Sequence, residues 1–209
     1  MPLGARVVER EGKVPRVSYR WDAETDILTG AVKGIEKGGA GLTGSVELEG
    51  SDGSFILLDV AGGAICGVEV VVWPDVRTVQ TLQPPADVKE GEVVLPTRRS
   101  QPSVAAVEVD TALTIETNAA ESVFHVRVGP ARHLEVVRVA DGLLVEVDEQ
   151  SELAGLWLTN VPPFPADDNA EFLAFHAALA KAAAGVSYDS HGTLVTVGWE
   201  GAAQAYAPT

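Results

Sequence analysis

The sequence predicts a mainly β protein of the α+β class, with two related antiparallel β-lobes and one long helix in its C-terminal half. Three observations carry this expectation. Apolar and polar residues alternate at period two along most of the chain. Glycine-rich or Asp-Gly breaks separate the alternating runs, and one segment near residue 170 switches to helical spacing. The 209 residues, 46% of them hydrophobic, suffice for one large domain or two small ones at roughly 100–150 residues each. The composition excludes a fully disordered chain, a collagen and a bare coiled coil.

Taken in order, Ser54 to Val60 and Ala64 to Trp73 are rich in β-branched residues and flank Ala61-Gly62-Gly63. Glycine tolerates positive φ, so this reads as a hairpin. Val104 to Val109, Val123 to Val128, Leu134 to Val139, Leu143 to Val147 and Leu153 to Thr159 read as further strands, with Asp141-Gly142 a tight turn between two of them. The expected helix covers about 168–184. Asp168 and Glu171 resemble a capping box, Phe172, Phe175, His176 and Leu179 share one side, and Gly185 ends it. Val186 to Asp189 and Thr193 to Trp199 form a closing hairpin around Ser190-His191-Gly192.

The prolines at 84, 85, 96 and 102 mark a boundary, because proline lacks the amide donor of a central strand. The chain divides into a first β-lobe (1–83), a Pro-rich linker or edge excursion (84–103), and a second β-lobe with the helix and closing hairpin (104–209). Whether the lobes are separate domains or one continuous barrel or sandwich is open at this level.

Phe55 to Val70 lies over Leu143 to Leu158 without a gap, Gly67 meeting Gly155, and further on Pro74 meets Pro162. Such an internal repeat means two copies of one β-unit. The order Trp21-Asp22-x-x-x-Asp26-x-Leu28, then strands, then a Gly or acidic turn and an Ile65-Cys66-Gly67 strand resembles the small bacterial and archaeal domain of unknown function 2283. The copies would be Trp21 to Pro74 and Thr117 to Pro162, with Tyr188-Asp189 resembling a truncated third start. The first departs from the family pattern through an insertion at Lys33 to Gly39, the second by lacking the aromatic-Asp start. The resemblance covers about half of the chain and implies a compact β-rich bacterial fold with no catalytic residues.

Charge narrows the function classes. Fifteen basic against thirty acidic residues give a net charge of −15, which repels nucleic acid. From residue 139 onward Lys181 is the sole basic residue. No stretch reads as a membrane helix, and Met1 to Arg6 lacks the apolar core of a signal peptide, so a soluble, cytoplasmic protein is expected. Lone Cys66 reads as a small strand hydrophobe.

Few motifs point to chemistry. Gly39-Ala40-Gly41-Leu42-Thr43-Gly44 spells a dinucleotide fingerprint, but Ser45 to Glu49 alternates like a strand where the motif needs a helix, so no cofactor is expected. Asp22 and Asp26 flank a turn, and Asp167, Asp168 and Glu171 start the helix. The histidines 125, 133, 176 and 191 lack metal-ligand spacing, so no metal is expected. His125 shares a polar-leaning strand side with Arg127 and reads as solvated; His133 follows a turn and His191 sits at a hairpin tip. The pocket candidates are His176, Tyr188 and Trp157, one of four tryptophans in or near the repeated strands.

Two functions follow. The first is a non-enzymatic binding or accessory protein that recognises a protein partner through its acidic surface. The alternative is a cofactor-free cyclase or isomerase working in an apolar pocket between the lobes. A filled interior favours the first; an enclosed pocket lined by tryptophans, with His176 or Tyr188 pointing in, favours the second.

Overall fold

A computed structural model describes residues 3–10, 12–34, 41–97, 104–165, 186–188 and 194–197. They belong to two compact units, Met1–Phe164 and Pro165–Thr209. In chain order the first unit contains β1 (Arg6–Val8), β2 (Arg16–Asp22), β3 (Ile27–Lys33), β4 (Thr43–Glu49), β5 (Phe55–Ala61), β6 (Ala64–Val72), β7 (Val76–Thr78) and β8 (Lys89–Glu90). It continues with β9 (Glu92–Val94), β10 (Val104–Asp110), β11 (Leu113–Thr117), β12 (Val123–Val128), β13 (Leu134–Ala140), β14 (Leu143–Asp148) and β15 (Leu153–Thr159). The second unit shows one antiparallel pair, β16 (Val186–Tyr188) with β17 (Leu194–Val197).

The strands of the first unit form two sheets. Sheet 1 runs β1-β9-β6-β5-β4-β10, with the β2–β3 hairpin joined to the far half of β6 through β3. Sheet 2 runs β7-β11-β12-β15-β14-β13-β8. Their facing sides merge into one core. Val46, Leu48, Ile56, Leu58, Val68 and Val70 come from sheet 1, and Val126, Leu143, Val145, Leu156 and Leu158 from sheet 2. This is the packing of a β-sandwich, in which each sheet removes the other's apolar side from water.

That arrangement corrects the α+β expectation. The described residues are all-β and none is helical; the stretch 168–184 lies outside them. No helix is needed to close this core, since the two sheets cover each other. The picture of two antiparallel lobes changes as well. β7, from the first half of the chain, pairs in parallel with β11 in sheet 2, and β10, from the second half, pairs in parallel with β4 in sheet 1. β8 also lies parallel to β13. Alternation fixes which side of a strand is buried but not which strand it meets. The Pro-rich stretch contributes β8 and β9, one to each sheet.

Local chemistry explains the turns. Gly62 and Gly63, at φ 58° and 91°, close the β5–β6 hairpin, and Gly142, at φ 98°, closes β13–β14. Asp22 Oδ1 accepts from the Glu24 amide at 3.0 Å, as the Asp22–Asp26 spacing suggests. The residues after Gly41 form β4 and not the helix that a dinucleotide fingerprint requires. Arg10 donates to the carbonyls of Gly91 and Val139, each at 2.6 Å, tying the β8–β9 link to β13.

Candidate functional site

The outer side of sheet 2 holds a polar cluster that its position would not lead one to expect. Strand register places Glu116, His125, Trp157 and Leu144 in one row across β11, β12, β15 and β14, and Arg127, Gly155, Glu146 and Val136 in the next. Glu146 is 2% exposed, Trp157 6% and His125 7%. Trp157 Nε1 donates to Glu146 Oε1 at 2.7 Å, and His125 Nε2 lies 3.1 Å from Glu146 Oε2. The imidazole and indole rings stack, with centroids 4.0 Å apart and planes 8° from parallel. Each carboxylate oxygen therefore has a partner, which a buried carboxylate requires.

Gly155 makes this possible. A Cβ there would collide with the Glu146 carboxylate and lie 2.8 Å from the Val126 carbonyl, so the glycine leaves the volume the carboxylate occupies. Val136, Leu144 and Trp157 form a small apolar cluster around the polar pair, and Leu82, Val88 and Val123 pack against it. His125, read from sequence as solvated, is thus buried. The signal missed was the stacked Trp157 ring and the Glu146 carboxylate, which strand pairing brings to His125 from β15 and β14 and which adjacent residues do not encode.

The outer side of sheet 1 is the opposite kind of surface. β4, β5, β6 and β10 contain no lysine or arginine. They carry Glu47, Glu49, Asp59, Glu69, Glu108 and Asp110, all exposed or half-buried. Register sets Glu47 beside Glu108 and Glu49 beside Asp110 on adjacent parallel strands. Like charges in that position repel. Among the described residues none of these six carboxylates is in an ion pair. At one end of this face Glu49 and Asp110 border an open groove of about 540 Å³.

Of the residues singled out from sequence, Trp157 belongs to the buried cluster just described. His176 lies outside the described residues, as do Trp199 and His191. Tyr188 ends β16 in the second unit, and its side chain is outside the description. Trp21 and Trp73 stack at a centroid distance of 5.5 Å over Phe124, and their indole nitrogens donate to the carbonyls of Pro162 and Asp26. Both are partly buried and pack against the core. Among the described residues no group of three or more His, Cys, Asp or Glu is placed to hold a metal ion, and no helix is long and apolar enough to cross a membrane.

No protein-family model matches the chain, and no curated protein matches it either.

Proposed function

We propose that this chain is a non-catalytic binding protein that holds a basic protein partner against the outer face of sheet 1. The observation that carries the reading is the block of six carboxylates on β4, β5, β6 and β10, with no basic side chain on those strands. Facing carboxylates oppose folding, and a partner's lysines or arginines would relieve that repulsion on docking. A field of one sign also speeds encounter with a partner of the other. The space between the sheets supports the same reading, because packed aliphatic side chains occupy the place where a cofactor-free cyclase or isomerase would need an apolar chamber. The reading does not lean on the resemblance to the domain of unknown function 2283, which implies a β fold and no chemistry.

The test is titration calorimetry with a short lysine- and arginine-rich peptide at low and physiological salt. The double reversal Glu47→Lys/Glu108→Lys should weaken binding by about tenfold or more, with the loss shrinking as salt rises. The control reversal Glu24→Lys/Glu149→Lys changes net charge equally at the exposed β2–β3 and β14–β15 turns, off the four acidic strands, and should have little effect. Equal losses in the two variants would mean that bulk charge alone attracts the peptide, and would overturn the proposal.

A further inference from the structure

Residues 79–88 connect β7 to β8, which lie at opposite edges of the seven-stranded sheet 2. Six inter-strand gaps of about 4.8 Å separate those edges, roughly 29 Å. The start of the connection is folded back, since the Leu82 amide donates to the Val79 carbonyl at 3.0 Å. Such a turn advances the chain by less than about 7 Å. The seven residue steps from Leu82 to Lys89 add at most about 25 Å when fully extended. The available length therefore barely exceeds the span.

Composition agrees. Pro84 and Pro85 fix their own φ and push Gln83 and Pro84 toward extended backbone, so the middle of the segment resists both coiling and slack. The path lies over the outer face of sheet 2, because Leu82 and Val88 pack onto Val136, Leu144 and Trp157. At its ends the connection is secured by a three-residue and a two-residue parallel pairing, and by the Val79 amide donating to the Thr117 carbonyl.

The cover and the covered site are independent in one respect. Both partners of Glu146 come from the sheet itself, His125 on β12 and Trp157 on β15. Leu82 and Val88 contribute apolar contact alone. We propose that residues 79–88 are a length-limited strap, and that its release uncovers a preassembled Trp157–His125–Glu146 site on the outer face of sheet 2. Past Val79 the strap's backbone bonding among the described residues is the Leu82-to-Val79 hydrogen bond, against the full ladders of the strands beneath it, so it should open before them. The device is separate from the acidic face of sheet 1 and stands or falls without it.

The test reads His125 directly. Four residues, Gly-Ser-Gly-Ser, are inserted between Gln83 and Pro84, and the chain is treated with diethyl pyrocarbonate and analysed by peptide mass spectrometry. Labelling of His125 should rise about fivefold or more, while exposed His133 serves as an internal reference that does not change. The same insertion in the β4–β5 turn, between Asp52 and Gly53, should leave His125 protected. Leu82→Ser, which keeps the length and removes one apolar anchor, should give a smaller rise and provides a readout if the insertion does not fold. Unchanged His125 labelling in the strap variants would show that the segment is slack. An equal rise with the turn insertion would show global loosening. Either result overturns the proposal.

Discussion

Asp59 and Glu146, one position apart in the register of the repeat, each face the glycine of their own hairpin and meet opposite surroundings. In β5–β6, Asp59 lies opposite Gly67, and the register shifts directly after it. In β14–β15, Glu146 lies opposite Gly155, and again the register shifts directly after it. Each carboxylate sits over its glycine, where a Cβ would strike it. Asp59 faces water on sheet 1. Glu146 is buried and shared between an indole and an imidazole. The backbone plan of a hairpin thus sets where an acidic side chain stands, and what lies above the sheet decides whether that side chain is a solvated charge or a buried acceptor.

The sharpest way to break this comparison is to give each glycine a methyl group. Gly155→Ala forces a Cβ against the Val126 carbonyl at 2.8 Å as well as against Glu146. It should cost at least about 3 kcal/mol in chemical denaturation, because backbone has to move. At Gly67→Ala the three nearest atoms all belong to Asp59, whose carboxylate can swing into solvent while its Cβ, 3.1 Å away, has to give by a few tenths of an ångström; about 1 kcal/mol is expected. The carboxylates themselves come next. Glu146→Ala strands the buried Trp157 N–H and one nitrogen of His125 and should cost about 2–3 kcal/mol, whereas Asp59→Ala should stay within about 0.5 kcal/mol. Glu146→Gln, whose amide oxygen can still accept from Trp157, should recover part of the loss in the same melt.

Two smaller effects are read against pH. Tyr19 packs its ring over Gly30, a third case of bulk set on a glycine, and its hydroxyl donates to the Gly142 carbonyl at 2.8 Å. Burial raises its phenol far above the usual tyrosine range. The folded state then keeps a proton that the unfolded chain releases near pH 10, so stability is full below that point and falls as pH rises beyond it. Tyr19→Phe should lose about 1 kcal/mol at neutral pH through the missing hydrogen bond and flatten the alkaline slope of a pH-melting series. Asp52 shows the opposite sign. The Ser54 hydroxyl, and then its amide, donate to Asp52 Oδ1 and hold its carboxyl below the usual range. Its contribution is present above the ordinary aspartate pKa and is lost as pH falls through the lowered one, so Ser54→Ala should make the acid limb slightly shallower.

Sequence reasoning reached these hairpins but not their setting. Alternation and glycine marked out β5–β6 and β14–β15, and the Asp141-Gly142 turn, because those signals are local. The exchange of β7 and β10 between sheets was out of reach, since period-two patterning specifies a buried side without naming a neighbour. His125 looked solvated for a related reason. Its strand alternates Phe124, Val126 and Val128 inward with His125 and Arg127 outward, and nothing nearby in the chain announces that Trp157 will stack on the imidazole or that Leu82 and Val88 will pack on Trp157's cluster. Of the pocket candidates, Trp157 could be placed; it sits on that outer side and not between the sheets.

The amino-terminal segment has a consequence for how the chain is made. The Leu3 carbonyl accepts from the Leu153 amide and the Ala5 amide donates to the Ser151 carbonyl, while β1 pairs with β9. Residues 3–5 are translated well before Ser151 and Leu153, which are among the last of this unit to be made. Until then the backbone groups of Leu3 and Ala5 wait without these partners although β9 is already made, a condition that favours wrong association of nascent chains, so slowing translation ahead of Leu153 would lower the soluble yield more than the same pause placed after it.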